Sequence, residues 1–127
     1  MAPFFRLIGR AKLAYLVNST QMEARAMDLS QMLKILSSQD GSDLYLSTGA
    51  PPCAKFNGVL KPLSQEPLKP GDVAAIANSV MDAEQRAEFE KELEMNLAIS
   101  VPNVGRFRIN IFKQRNEVSI VARNIKM

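Results

Sequence analysis

At about residue 94 the spacing of apolar side chains changes from the 3.6-residue period of a helix to the 2-residue period of a strand, which requires helices and sheet in one chain. Beyond that point Met95, Leu97, Ile99 and Val101 alternate with polar or small residues. Residues 102–105 then turn the chain, and two further strands are predicted over about 106–113 and 118–125. Before it, Val73, Ile76, Ala77, Val80 and Met81 make one apolar helix face. Asp82 and Gln85 form a D-x-x-Q capping pattern that opens a short charged helix running to about Leu93, with Phe89 and Leu93 as its anchors.

The N-terminal half uses the same vocabulary. Asp28 and Gln31 repeat the capping pattern, Leu29, Met32, Leu33 and Leu36 share a helical face, and Gly41 stands where that helix would end. Residues 43–47 alternate like a half-buried strand, with Asp43 and Tyr45 a strand edge and not a catalytic dyad, and Gly49-Ala50-Pro51-Pro52 breaks it. The segments 53–56 and 59–62 flank Asn57-Gly58, a strong hairpin signal. A loop carrying Pro62, Pro67 and Pro70 leads into the middle helices. The order is helix, three strands, two helices, three strands. Strands joined by short turns pair antiparallel, so the expected fold class is α+β, an antiparallel sheet with helices packed on one face.

A chain of 127 residues suits one compact domain, and no apolar run reaches the roughly 18 residues a membrane-spanning helix needs. The absence of histidine excludes a histidine-based triad or zinc site, and the single cysteine, Cys53, excludes an internal disulfide. With no histidine to activate it, Cys53 reads as a small core residue. No G-x-x-x-x-G-K-[ST] and no G-x-G-x-x-G is present, so this stretch cannot cradle a triphosphate by itself. The glutamates 84, 88, 90, 92 and 94 read as a solvated helix face.

Charge is unevenly placed. Residues 1–26 account for the whole net charge of +3, leaving 27–127 neutral, which argues against a nucleic-acid partner. Within that neutral part, residues 95–127 carry six basic side chains against Glu117 alone. Residues 1–26, with Phe4, Phe5, Ile8, Tyr15 and Leu16 at roughly helical spacing among Arg6, Arg10 and Lys12, form an N-terminal extension open to two readings. One is a basic amphipathic arm; the other is a tag-derived or mis-started leader ahead of Met27.

The last hairpin carries the chemistry. If strands 106–113 and 118–125 are joined by the tight loop 114–117, Lys113 faces Val118 and Arg108 falls directly opposite Arg123 on the same face. The other face collects Phe107, Ile109, Ile111, Val118, Ile120 and Ala122, a core set that a one-residue slip would scramble. Two facing arginines repel unless an anion sits between them, and a phosphate suits their planar forks. Arg106 and Arg115 are secondary candidates for the same positive field. The competing reading pairs these arginines with helix carboxylates such as Glu88 or Glu92.

The stretch Ser42-Asp43-Leu44-Tyr45-Leu46-Ser47-Thr48-Gly49-Ala50-Pro51-Pro52 resembles the S-D-L…G-x-P-P signature of type IV pilus retraction ATPases. Residues 105–115 resemble their R-F-R-x-N-x-F-x-Q strand, with the M-x-x-x-Q-R of 81–86 and the Phe89-Glu90 pair between the two. The resemblance runs from about Met27 to Met127. Tyr45, residues 96–100 and Gln114-Arg115-Asn116 are similar to the accessory, PilU-type branch rather than the principal, PilT-type one.

The resemblance implies that residues 27–127 are a PAS-like N-terminal domain. A RecA-like P-loop core that binds ATP and Mg²⁺ would lie elsewhere in the full-length protein, and the fragment alone would bind neither and be inactive. It implies a homohexamer in which this domain meets the cores of its own and neighbouring subunits. The motor would be cytoplasmic, at the inner-membrane face of the pilus machine, with the principal retraction ATPase and pilus platform proteins as further partners and twitching motility as its output. In the wider secretion ATPase superfamily, two arginines spaced as Arg108 and Arg123 reach the ATP γ-phosphate. A stand-alone PAS-like sensory or interaction module is the alternative.

Overall fold

The computed structural model of the chain describes residues 28–126. The extension 1–26 and its two readings lie outside the described residues. Helix α1 (Leu29–Ser38) is followed by strands β1 (Asp43–Leu46), β2 (Cys53–Phe56) and β3 (Val59–Pro62). Helices α2 (Asp72–Val80) and α3 (Ala83–Glu92) come next, then strands β4 (Glu94–Val101), β5 (Gly105–Gln114) and β6 (Glu117–Ile125).

Local chemistry sets most of these boundaries. Both capping patterns close as reciprocal boxes. The Asp28 carboxylate accepts from the Gln31 backbone N–H at 2.9 Å while Gln31 Oε1 accepts from Asp28 N–H at 3.1 Å. Asp82 and Gln85 do the same at 2.8 and 2.9 Å. Such caps each contribute about 1 kcal/mol.

The end of α1 differs from the expectation at Gly41. Asp40, not the glycine, takes the left-handed conformation at φ 57°. Gly41 N–H then donates to Leu36 C=O at 2.7 Å and Asp40 N–H to Ser37 C=O at 3.1 Å, a Schellman pair. Gly41 is there for space: a Cβ would lie 2.6 Å from Leu36 Cδ1 and 2.8 Å from the Phe56 ring. Gly41→Ala is therefore expected to destabilise the domain by about 1–3 kcal/mol through overpacking against the buried Leu36. Urea unfolding of the chain checks this; an unchanged midpoint would contradict it.

Between α2 and α3, Arg86 donates to the backbone carbonyls of Asn78 and Met81, satisfying acceptors that the end of α2 leaves open. Leu93 does not anchor α3. It caps the helix in the left-handed region at φ 62° and is exposed, so Phe89 alone is buried from that helix.

The six strands form one antiparallel sheet in the order β3-β2-β1-β6-β5-β4. Two of its turns, Asn57-Gly58 and Arg115-Asn116, place both central residues at positive φ, the geometry that matches strand twist in a two-residue hairpin. The turn residues 115 and 116 are fewer than the predicted loop 114–117, and the pairing register is unaffected. β1 is not an edge strand: it lies between β2 and β6 and joins the two halves of the sheet. One face carries Leu44, Leu46, Ala54, Phe107, Ile109, Ile120 and their neighbours into a single core cluster with Met32, Leu33 and Leu36 of α1, Val73 and Ala77 of α2 and Phe89 of α3. Cys53 is outside that cluster. It is half-buried on the other face of β2, its thiol donating to Pro51 C=O at 3.3 Å. Among the described residues no helix is long and apolar enough to cross a membrane.

Candidate functional site

The helix-free face of the sheet is read row by row from the register. One row runs Ala98, Arg108, Arg123, Asp43, Lys55 and Leu60 across five strand pairings. The next runs Asn96, Asn110, Val121, Tyr45, Cys53 and Pro62. Arg108 is directly opposite Arg123, in the register the sequence predicts. Both side chains are exposed. They border a groove of about 520 Å³ whose floor and rim include Asn96, Ala98, Asn110 and Val121. On the rim, Asn110 donates to Asn96 at 2.8 Å and to Glu94 at 3.3 Å.

Arg123 is not paired with a helix carboxylate, because α3 lies on the other side of the sheet. Its partner is Asp43, whose Oδ1 accepts from Arg123 Nε at 3.0 Å. The Asp43 side chain is 9% exposed and that of Arg123 70%. Arg108 has no ion-pair partner among the described residues. Arg106 stands one row away on the same face, opposite Ile125. Arg115 is not brought to this place. It sits at the tip of the β5–β6 turn, seven residues or roughly 20 Å along the strand from Arg108, beside a hollow lined by Ser47, Thr48, Gln114, Glu117 and Ser119.

Asp43 is the residue that sequence reasoning missed. Burial works to raise its carboxyl pKa, but hydrogen bonding from Ser42 and Arg123, with the charges of Arg123 and Lys55, holds it below the ordinary 3.8. A carboxylate whose folded-state pKa is depressed contributes stability that is fully present above its unfolded value and is lost as pH falls through the folded one. The stability of wild-type chain relative to Asp43→Asn is therefore expected to be flat from pH 8 to about 5 and to shrink below about pH 4. Denaturant titrations across that range check it; a constant difference down to pH 2.5 would contradict it.

Two guanidinium groups on one row, with a single buried carboxylate engaging only one nitrogen of one of them, leave donor edges facing the groove that suit an anion. The described residues offer no cluster of three or more His, Cys, Asp or Glu side chains for a metal ion, and the glutamates of α3 are exposed. The two guanidinium groups supply positive charge and hydrogen-bond donors, chemistry complementary to an anion.

No protein-family model matches the chain. It is 38% identical over 100 residues to the type IV pilus ATPase PilU of Pseudomonas aeruginosa, covering 79% of this chain and 26% of that protein. It is 36% identical over 99 residues to the type IV pilus retraction ATPase PilT of the same organism, covering 78% and 29%. Its fold matches the crystal structure of the pilus retraction motor PilT with bound ADP at a TM-score of 0.72 and 32% identity, covering 80% of this chain and 30% of that one. The chain belongs to the type IV pilus retraction ATPases.

The part of those ATPases that it matches is the N-terminal domain, and it spans between a quarter and a third of the length of the relatives. The two identities lie two points apart. They establish the retraction ATPase family, and the PilU-type assignment rests on the motif residues.

Those family motifs sort by physical role. In the S-D-L segment, Leu44 and Leu46 are core. Gly49 turns the chain at φ 92°, and Thr48 donates to Glu117 at 2.8 Å. In the R-F-R strand, Phe107, Ile109 and Ile111 are core. The M-x-x-x-Q-R segment supplies a buried methionine, a capping glutamine and the Arg86 clamp. Those roles are structural. Arg106 and Arg108 of the R-F-R motif, with Arg123 opposite Arg108, carry exposed charge on the open face, and the S-D-L motif's Asp43 is the buried partner of Arg123.

Proposed function

We propose that residues 27–127 form a PAS-like N-terminal domain that regulates and assembles a hexameric type IV pilus retraction ATPase. Arg108 and Arg123 reach the phosphates of ATP held by a RecA-like core. The observation that carries this reading is the direct opposition of Arg108 and Arg123 beside an open groove in a chain of this family. The relatives support the rest: PilU and PilT are pilus ATPases, and the PilT motor has been solved with ADP.

In this account the core brings the P-loop, the magnesium ion and the water-activating group, and the chemistry of hydrolysis occurs there. This domain contributes positive charge. Guanidinium groups close to the γ-phosphate stabilise the charge spread over its oxygens as the bond to the leaving group lengthens. Because the arginines lie on a rigid sheet, their engagement also ties the domain's orientation to the nucleotide state. The domain packs on the cores of its own and neighbouring subunits, in the cytoplasm at the inner-membrane face of the pilus machine. The principal retraction ATPase and platform proteins are its partners. Residues 1–26 stand outside the domain.

Complementation tests the reading. A full-length protein carrying Arg108→Ala and Arg123→Ala is expected to accumulate normally but fail to restore pilus retraction in cells lacking the wild-type gene. Full restoration would remove the proposed role.

A further inference from the structure

We infer that Asp43 is a positioning residue for Arg123, holding it by one nitrogen so that its remaining donors face the nucleotide, an inference that rests on the phosphate reading above. The pair combines two unequal environments. The carboxylate end is 9% exposed and the guanidinium end 70%, so the contact anchors the inner side of the arginine and leaves its tip in the groove. Only Nε is engaged, at 3.0 Å. A guanidinium has five N–H donors in a planar fork, so fixing Nε sets the plane while the edge made by the two Nη groups stays available for two parallel bonds to a phosphate.

The surroundings hold the carboxylate in place. Asp43 sits in β1 directly opposite Arg123 of β6. Just beyond the pair, Asn124 N–H donates to Ser42 C=O at 3.0 Å and the Asn124 side chain to Gly41 C=O at 3.3 Å. Lys126 bonds the Asp40 carboxylate at 2.6 Å. The segment 40–43 and the end of β6 are thus clasped at four consecutive points.

Arg108 has no comparable restraint among the described residues. The two arginines therefore differ: Arg123 is preorganised, and Arg108 is free to adjust when the nucleotide arrives. Asp43 does not cancel the site's attraction, since its single negative charge shares the row with Arg108, Arg123 and Lys55.

Two measurements test this. In the wild-type chain, NMR of the arginine Nε–H groups is expected to show Arg123 exchanging with water at least about tenfold more slowly than Arg108, as a held donor should. Asp43→Asn, which keeps an acceptor oxygen and loses the charge, is expected to narrow the difference severalfold while backbone resonances stay native. In the full-length ATPase, Asp43→Asn is expected to lower kcat about tenfold with KM within about twofold, and to add nothing to Arg123→Ala, because residues acting as one unit are non-additive.

Equal exchange of the two arginines in the wild-type chain would overturn the inference even if the Asp43 variant failed to fold. So would an Asp43→Asn effect that adds in full to Arg123→Ala. Normal kcat in Asp43→Asn beside an impaired Arg123→Ala sinks this inference alone. Normal kcat in Arg123→Ala sinks the phosphate reading and this inference with it.

Discussion

Replacing Arg108 and Arg123 together by alanine in the full-length retraction ATPase is expected to lower kcat by about a hundredfold or more while changing KM for ATP much less. The magnitude follows from what the side chains are placed to do. A preorganised donor aimed at charge that develops in the transition state contributes about 2.7–4 kcal/mol, and an arginine supplied to a transferring phosphoryl group can contribute more. The small effect on KM follows from the proposed arrangement, in which a P-loop core would hold the nucleotide whether or not this domain closes on it.

The single variants separate the two arginines. Arg123 is already held by Asp43 at 3.0 Å, so less conformational freedom is lost when it engages a phosphate. Arg123→Ala is then the more damaging single change. Steady-state ATPase kinetics on purified protein check this; a double variant within twofold of wild type would contradict it.

The second large effect is on stability. Phe107→Ala is expected to destabilise the domain by about 3–5 kcal/mol, since a fully buried aromatic is lost and the cavity cannot close completely. Phe107 is 0% exposed and lies between Arg106 and Arg108 on β5, so its loss removes the packing that fixes which way the arginines point. Against a typical domain stability of about 5–15 kcal/mol, this predicts a melting temperature lower by about 15 °C or more.

Phe112 is the matched control. It is on the same strand, on the open face, opposite Ser119 and Glu94, and half-buried. Phe112→Ala should cost about 1 kcal/mol. Thermal melts followed by circular dichroism distinguish them; the reverse ranking would mean that the core and open faces of β5 are interchanged.

What could be read in the sequence was what is encoded locally. The two D-x-x-Q caps are i, i+3 interactions, the Asn57-Gly58 turn is a two-residue signal, and the β5–β6 register follows from sorting period-2 residues to one face. All are visible within about twenty residues. The Arg108–Arg123 opposition was legible for the same reason, because one short turn joins their strands.

The insertion of β1 between β2 and β6 was not legible. It depends on pairing residues about 80 apart, as in Asp43 with Arg123, and no local pattern specifies such a partner. The mistaken placement of Cys53 in the core has a similar origin: in a four-residue strand, which parity faces inward is set by the neighbouring strand. Asp43 did leave a signal. Aspartate is depleted in strands and almost never buried without a partner, so an aspartate two residues before Tyr45 in an otherwise apolar central strand implied a cation opposite. The nearest basic rows of the sheet were the place to look.

A structure of the full-length protein with a non-hydrolysable ATP analogue most directly tests whether Arg108 and Arg123 reach the nucleotide. The prediction is that Nη atoms of Arg108 and Arg123 lie within about 3.2 Å of γ-phosphate oxygens, with Asp43 still accepting from Arg123 Nε. A closed, nucleotide-loaded subunit in which both guanidinium groups end on protein carboxylates or in solvent, and other cations surround the γ-phosphate, would contradict it.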